Sequence, residues 1–176
     1  MPNGLGASGK NTVMNLNKQD MSSLQIAYEV LAVSGLLCHI VLITRAWASL
    51  PSTIPVHYGL SGQPDAWGGR IELLDLPVVS VILYVGLTWL ARYPHRLNPW
   101  TITERNAEQL YRLAKSSVGA VKGLLVWLLT VITWQTIRVA MGQTGGLGGA
   151  SMAVILGITG ITVVVYVLLA RRAGQA

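Results

Sequence analysis

Residues 154–170 read VILGITGITVVVYVLLA, and whether this run is strand or helix decides the fold. Its β-branched residues favour strand where a sheet face meets water. Its surroundings argue the other way. The run lies in an apolar stretch from Ser151 to Ala170, close to the roughly 20 residues that cross a hydrocarbon core about 30 Å thick. At that depth each backbone N–H and C=O must be satisfied within the segment, so helix overrides a weak propensity. Three similar runs precede it, at about residues 24–44, 73–91 and 118–137.

Composition agrees. The 176 residues are 52% hydrophobic and 11% charged, against about 25% charged in soluble domains. Mean hydropathy is +0.50. Too few polar residues remain to clothe a soluble helix bundle. The net charge of +6 would suggest nucleic acid in a soluble protein, but the placement of the charges matters more here. Lys10, Lys18, Arg92, Arg96, Arg105, Arg112, Lys115, Arg171 and Arg172 fall on one side of the four spans, and Arg45, Arg70 and Arg138 on the other. Basic residues collect on the cytoplasmic side. The expected fold is an all-α integral membrane four-helix bundle, N-in and C-in, with an ordered extracytoplasmic loop over residues 45–72. Residues 1–22 are expected as a flexible cytoplasmic tail and not a cleaved leader. Residues 23–172 make one transmembrane domain, 92–117 its inner loop and surface helix, and 173–176 a short tail. The single cysteine, Cys38, excludes an intrachain disulfide.

In the inner loop, Pro94 and Pro99 break the helix. Thr101 and Glu104 have capping-box spacing, and Glu108 can pair with Arg112. A helix starting there should run through Lys115 into the third span. Trp100, Leu110, Tyr111 and Ala114 are expected at the headgroup level, beside anionic lipid. The glycine-rich GQTGGLGG between the last two spans lacks the Lys-Ser/Thr ending of a phosphate loop and follows a membrane span, not a strand.

Polar residues inside the spans form the first candidate set: Glu29, His39, Asp75, Lys122 and Arg138. Intramembrane charges are costly unless paired or hydrated. Glu29 and Lys122 lie about one turn into their spans from the same side, so an interhelical pair is expected, with snorkelling or ion handling as alternatives. His39, Arg45, Glu72, Asp75 and Arg138 lie at similar outer depths and would make a polar layer. Gln135, Thr130 and Thr133 suit helix–helix bonding, and Gly119, Gly123, Gly157 and Gly160 would permit close helix contact with a larger membrane complex.

The second set lies in Leu50–Arg70, LPSTIPVHYGLSGQPDAWGGR. His57, with Ser52 or Ser61, offers the residue types of a nucleophilic site but no nucleophile elbow. His57 and Asp65 are too few for a metal, and Glu72, Asp75 and His39 would complete a set only on paper. The metal content stays open, and no cofactor is expected. Three prolines and four glycines instead suggest a folded cap on the helix ends. Trp47, Tyr58 and Trp67 suit the headgroup belt, and Asp65 a turn.

Leu50-Pro51, Ile54-Pro55-Val56-His57-Tyr58, then Gly62-Gln63-Pro64-Asp65 and Trp67, make a pattern that resembles the signature of the domain of unknown function DUF1648. Tyr93 to Arg112 also looks like a segment of small bacterial proteins bearing that domain. The resemblance implies a multi-pass protein of the bacterial inner membrane, similar to the N-terminal part of SdpI-type immunity proteins, with the His-Gly-Asp loop outside. It supplies no chemistry. The expected function is a non-enzymatic envelope protein for immunity or signal sensing, with His57, Tyr58, Asp65 and Trp67 recognising an external peptide or partner. The alternatives are a small accessory subunit of a larger membrane protein and a metal-dependent or ion-handling protein. Membrane lipids are expected partners and nucleic acid is not.

Overall fold

The computed structural model describes residues 23–93, 103 and 106–175. The chain is mostly helical: α1 (Ser23–Ala46), α2 (Asp75–Leu90), α3 (Ala107–Ala140) and α4 (Gly149–Gln175). Among the described residues, three helical stretches are long and apolar enough to cross a membrane: Ser23–Ala46, Arg70–Leu90 and Ala107–Ala140. The fourth helix carries the VILGITGITVVVYVLLA run, so the β-branched segment is helical. As expected, α3 passes without a break through Lys115 and Val118. Thr101 and Glu104 lie outside the described residues. Asn106 precedes the helix, its side-chain oxygen accepting the Thr103 N–H at 2.8 Å.

Burial follows an inverted pattern. In α1 the buried residues are Ala32, Gly35, His39, Ile43 and Ala46, three or four apart and mostly small, on one helical face. Val30, Leu37 and Ile40 point outward. In α2 the buried residue is Ser80, while Val78, Val81, Ile82, Val85 and Trp89 are exposed. A helix that packs in water buries its large apolar side chains. Here small and polar groups make the contacts, the habit of helices whose surroundings are themselves apolar.

α3 is the central element and packs against each of the other helices. Its approach to α1 depends on missing side chains. A Cβ on Gly35 would stand 2.8 Å from Val126 Cγ1, and one on Gly123 would stand 2.9 Å from Leu31 Cδ2. Gly119 faces the Tyr28 ring. Gly157 and Gly160 have nothing of this chain within 4 Å. Leu110, Tyr111 and Ala114 are buried, with Leu110 packed on Ala170 and Tyr166. Arg112 and Glu108 do pair, at 3.6 Å.

The all-α expectation needs one amendment. Between α1 and α2 the chain forms an antiparallel hairpin, β1 (Thr53–Tyr58) with β2 (Pro64–Gly69), followed by a 3-10 turn over Arg70–Leu74. TIPVHY is rich in strand formers, but its proline and the glycines after it mask the signal. A two-stranded sheet tolerates them because each strand is an edge. Pro55 needs no ladder bond on its open side, and Pro64 is the first residue of β2. The register is irregular at Val56, where Pro55 pairs with Trp67 and His57 with Ala66.

Candidate functional site: a clamped hairpin and two polar layers

The hairpin is fixed at its base, its flank and its tip. At the base, Ile54 and Leu73 are buried with Ile43 and Ala46 at the end of α1, Leu50 just beyond it, and Ile137 near the end of α3. Arg70 N–H closes the base on Ser52 O at 3.1 Å. The Glu72 carboxylate accepts the Gly69 N–H at 2.8 Å, and it occupies the space that a side chain at residue 68 would need. On the flank, Tyr58 Oη donates to Thr136 Oγ1 at 3.1 Å. Burial pushes the Tyr58 phenol above its ordinary pKa, and the Thr136 bond opposes that shift. Tyr58 therefore faces inward, towards α3. At the tip, Gly62 adopts φ +76°, a conformation open to glycine at little cost. Its carbonyl accepts the Leu147 N–H at 2.8 Å. The Gly146 backbone lies so close to Gly62 O that no side chain fits there. The glycine-rich loop between α3 and α4 is thus the seat of the hairpin tip. Gln135 steadies that loop by accepting the Gly148 N–H.

On the outward side, His57 Nδ1 and Asp65 Oδ1 are 2.5 Å apart, with side chains 70% and 50% exposed. An N–H on Nδ1 donating to the carboxylate fixes the ring and leaves Nε2 as the nitrogen an external group can meet. Asp65 serves the histidine instead of the turn backbone expected for it. Trp67, Leu60 and Val56 are exposed beside them. Arg70 stacks on Trp47 at 5.3 Å. Beneath β1 lies a cleft of about 170 Å³, lined by Tyr58, Glu72, Asp75, Leu76, Ile132 and Thr136 among others. Among the described residues, no three His, Cys, Asp or Glu side chains converge to hold a metal ion.

Two polar layers cross the helices. In the first, Lys122 Nζ donates to Glu29 Oε1 and, at 3.0 Å, to Thr88 Oγ1. Tyr84 Oη donates to Glu29 Oε2 at 3.1 Å, and its ring lies 4.6 Å from the ammonium. In the second, His39 Nε2 is 2.6 Å from Thr133 Oγ1 and Nδ1 is 3.4 Å from Ser80 Oγ. Ser80 donates to Leu76 O at 2.9 Å. Because Ser80 spends its proton on the carbonyl, Nδ1–H is the donor in the His39–Ser80 contact. Thr133 meets the other ring nitrogen, so one side chain of α1 ties α2 to α3. Thr130 adds a bond to Gly35 O at 3.2 Å.

The structure therefore brings Glu29 and Lys122 together. It does not assemble His39, Arg45, Glu72, Asp75 and Arg138 into one layer. His39 belongs to the helix interior, and Glu72 holds Gly69. Asp75 is an exposed residue in the first turn of α2, at the cleft. Arg138 lies over the Trp134 ring at 5.0 Å. Sequence reasoning missed Ser80, Tyr84 and Thr88, which carry α2's share of both layers. Their i, i+4, i+8 spacing was the available signal, a polar stripe along one face of an apolar helix.

Residues 35–81 match the family model described as Domain of unknown function (DUF1648). The match spans the second half of α1, the hairpin and the start of α2, and so holds His57, Asp65, His39 and Ser80. An uncharacterized protein of the archaeon Archaeoglobus fulgidus is 37% identical over 60 residues, 30% of this chain and 33% of that relative. The chain spans about a third of the relative's length. No solved structure matches.

Proposed function

We propose that this chain, whose residues 35–81 carry the domain of unknown function DUF1648, is a multi-pass, non-enzymatic envelope protein whose hairpin recognises an external ligand or partner. Its four helices form a bundle in a bacterial plasma membrane, with both termini inside and the hairpin outside. The inverted burial of α1 and α2 supports the membrane setting. The uneven distribution of basic residues supports the orientation.

One observation carries recognition. The hairpin is held at base, flank and tip, yet His57, Asp65 and Trp67 remain exposed. A segment that is both fixed and open loses little freedom on meeting a partner, which favours affinity. The oriented imidazole and carboxylate supply polar specificity, and Trp67 supplies apolar area. Immunity towards a peptide, as in SdpI-type proteins, or sensing of one, is the role that fits such a surface.

The test replaces His57 with Ala and Asp65 with Asn separately. Both side chains are largely exposed, so folded yield in the membrane should stay near the wild type. Peptide sensitivity, or capture of the partner after mild detergent extraction, should fall at least tenfold, about 1.4 kcal/mol. Loss of folded yield in both variants would instead make the pair a structural clasp.

The second reading is an accessory subunit of a larger membrane protein. It is favoured by α4, where, among the described residues, Ala170 is the buried hydrophobic residue and Val154, Leu156, Ile161, Val164 and Leu168 are exposed. Co-purification at fixed stoichiometry with a larger membrane protein would select it.

A further inference from the structure

We propose that the seam between α2 and α4 holds one anionic phospholipid, with an acyl chain against α3 and the phosphate at the basic end of the helices. The inference rests on the membrane reading above. Both α2 and α4 pack on α3 and make little contact with each other. The seam left between them is lined by Leu87, Val118, Val121, Val163 and Tyr166, with Ala114 and Ser117 at its floor. An apolar channel of this kind loses dispersion contacts if left empty, and an acyl chain fits its shape and chemistry.

Charge selects the head group. Ala170 packs on Leu110, so the C-terminal end of α4 lies beside the N-terminal end of α3. Thr88 meets Lys122, so α2 also finishes towards that end of α3. The seam therefore opens between Arg92, just beyond α2, and Arg171 and Arg172 at the end of α4, all exposed. Lys115 follows Ala114 on α3. Among the described residues, no carboxylate lines the seam. A phosphate complements these cations. A second copy related by a two-fold axis along the membrane normal would instead set the same basic ends side by side, which disfavours that occupant.

The full-length chain would be extracted in mild detergent, exchanged into equal phosphatidylglycerol and phosphatidylcholine of the same acyl length, and examined by native mass spectrometry. Phosphatidylglycerol should be retained over phosphatidylcholine by about fivefold or more. Arg171→Gln with Arg172→Gln should bring that ratio close to one, and Val163→Trp should reduce retention of both lipids by filling the seam. The two arginines are exposed, so their variant keeps its fold and decides the matter even if the tryptophan variant does not fold. Equal retention by the wild type, an unchanged ratio in the double variant, or a second chain in place of lipid would overturn the proposal. If the chain sediments with membranes but shows no preference, this inference alone fails. If it is absent from the membrane fraction, the membrane reading fails with it.

Discussion

Lys122 and Glu29 share a bond but not an environment. The lysine side chain is 2% exposed, whereas the glutamate is 34% exposed. Removing the carboxylate strands an ammonium in the interior with only Thr88 and the Tyr84 ring. Removing the ammonium leaves a carboxylate that water or headgroups can reach. Breaking a buried pair from one side costs about 3–5 kcal/mol. Glu29→Gln should fall near the lower end of that range, and Lys122→Met should cost clearly less. The double variant Glu29→Gln/Lys122→Met should recover most of the loss, because no charge is then left alone. Thermal denaturation of the three variants in one detergent checks the order. If Lys122→Met proves the more damaging, the burial argument is wrong.

At the level of elements, the contact of α1 with α3 turns on residues that lack side chains. Val126 is fully buried with a stiff χ1, and Trp127 is tied by its indole N–H to Leu31 O at 2.9 Å. Neither can yield easily to a methyl group at residue 35. Gly35→Ala should therefore destabilise the protein by about 1–3 kcal/mol. Gly157→Ala, in open space on α4, should be neutral or stabilise by up to about 1 kcal/mol through helix propensity. Unfolding midpoints in detergent compare them directly, and equal effects would remove the packing explanation.

The same elements show what a sequence reveals. Four helices were legible because apolar length is a one-dimensional property. The Glu29–Lys122 contact was legible because matching depth can be counted along two spans. The stripe Ser80, Tyr84, Thr88 was legible too, but a hydroxyl in an apolar run stands out less than a charge. The hairpin was hidden because Pro55, Pro64 and the glycines signal a loop by local rules, while pairing between two short edges is settled by the helix ends beneath them. The seat of Gly62 on Leu147 was invisible. It is a bond between backbones, and backbones have no letter of their own.

For the whole molecule, the proposed orientation sets the hairpin and the Arg112–Glu108 turn on opposite faces of the membrane. In a Cys38→Ala background, Ser61→Cys should react with a membrane-impermeant maleimide in intact cells. Glu108→Cys should react only after lysis. The reverse pattern would invert the chain, and equal labelling of both sites would undo the spanning arrangement.

The tip of the hairpin rests on α4's approach loop through a main-chain donor and a main-chain acceptor. Such a joint asks for space at residues 62 and 146 and for nothing else by way of side chains. Substitutions at His57, Ala66 or Trp67 can then reshape the outer face while the joint persists. The molecule separates what it shows from how it holds it, so its specificity can drift over evolutionary time without a matching change in the four helices below.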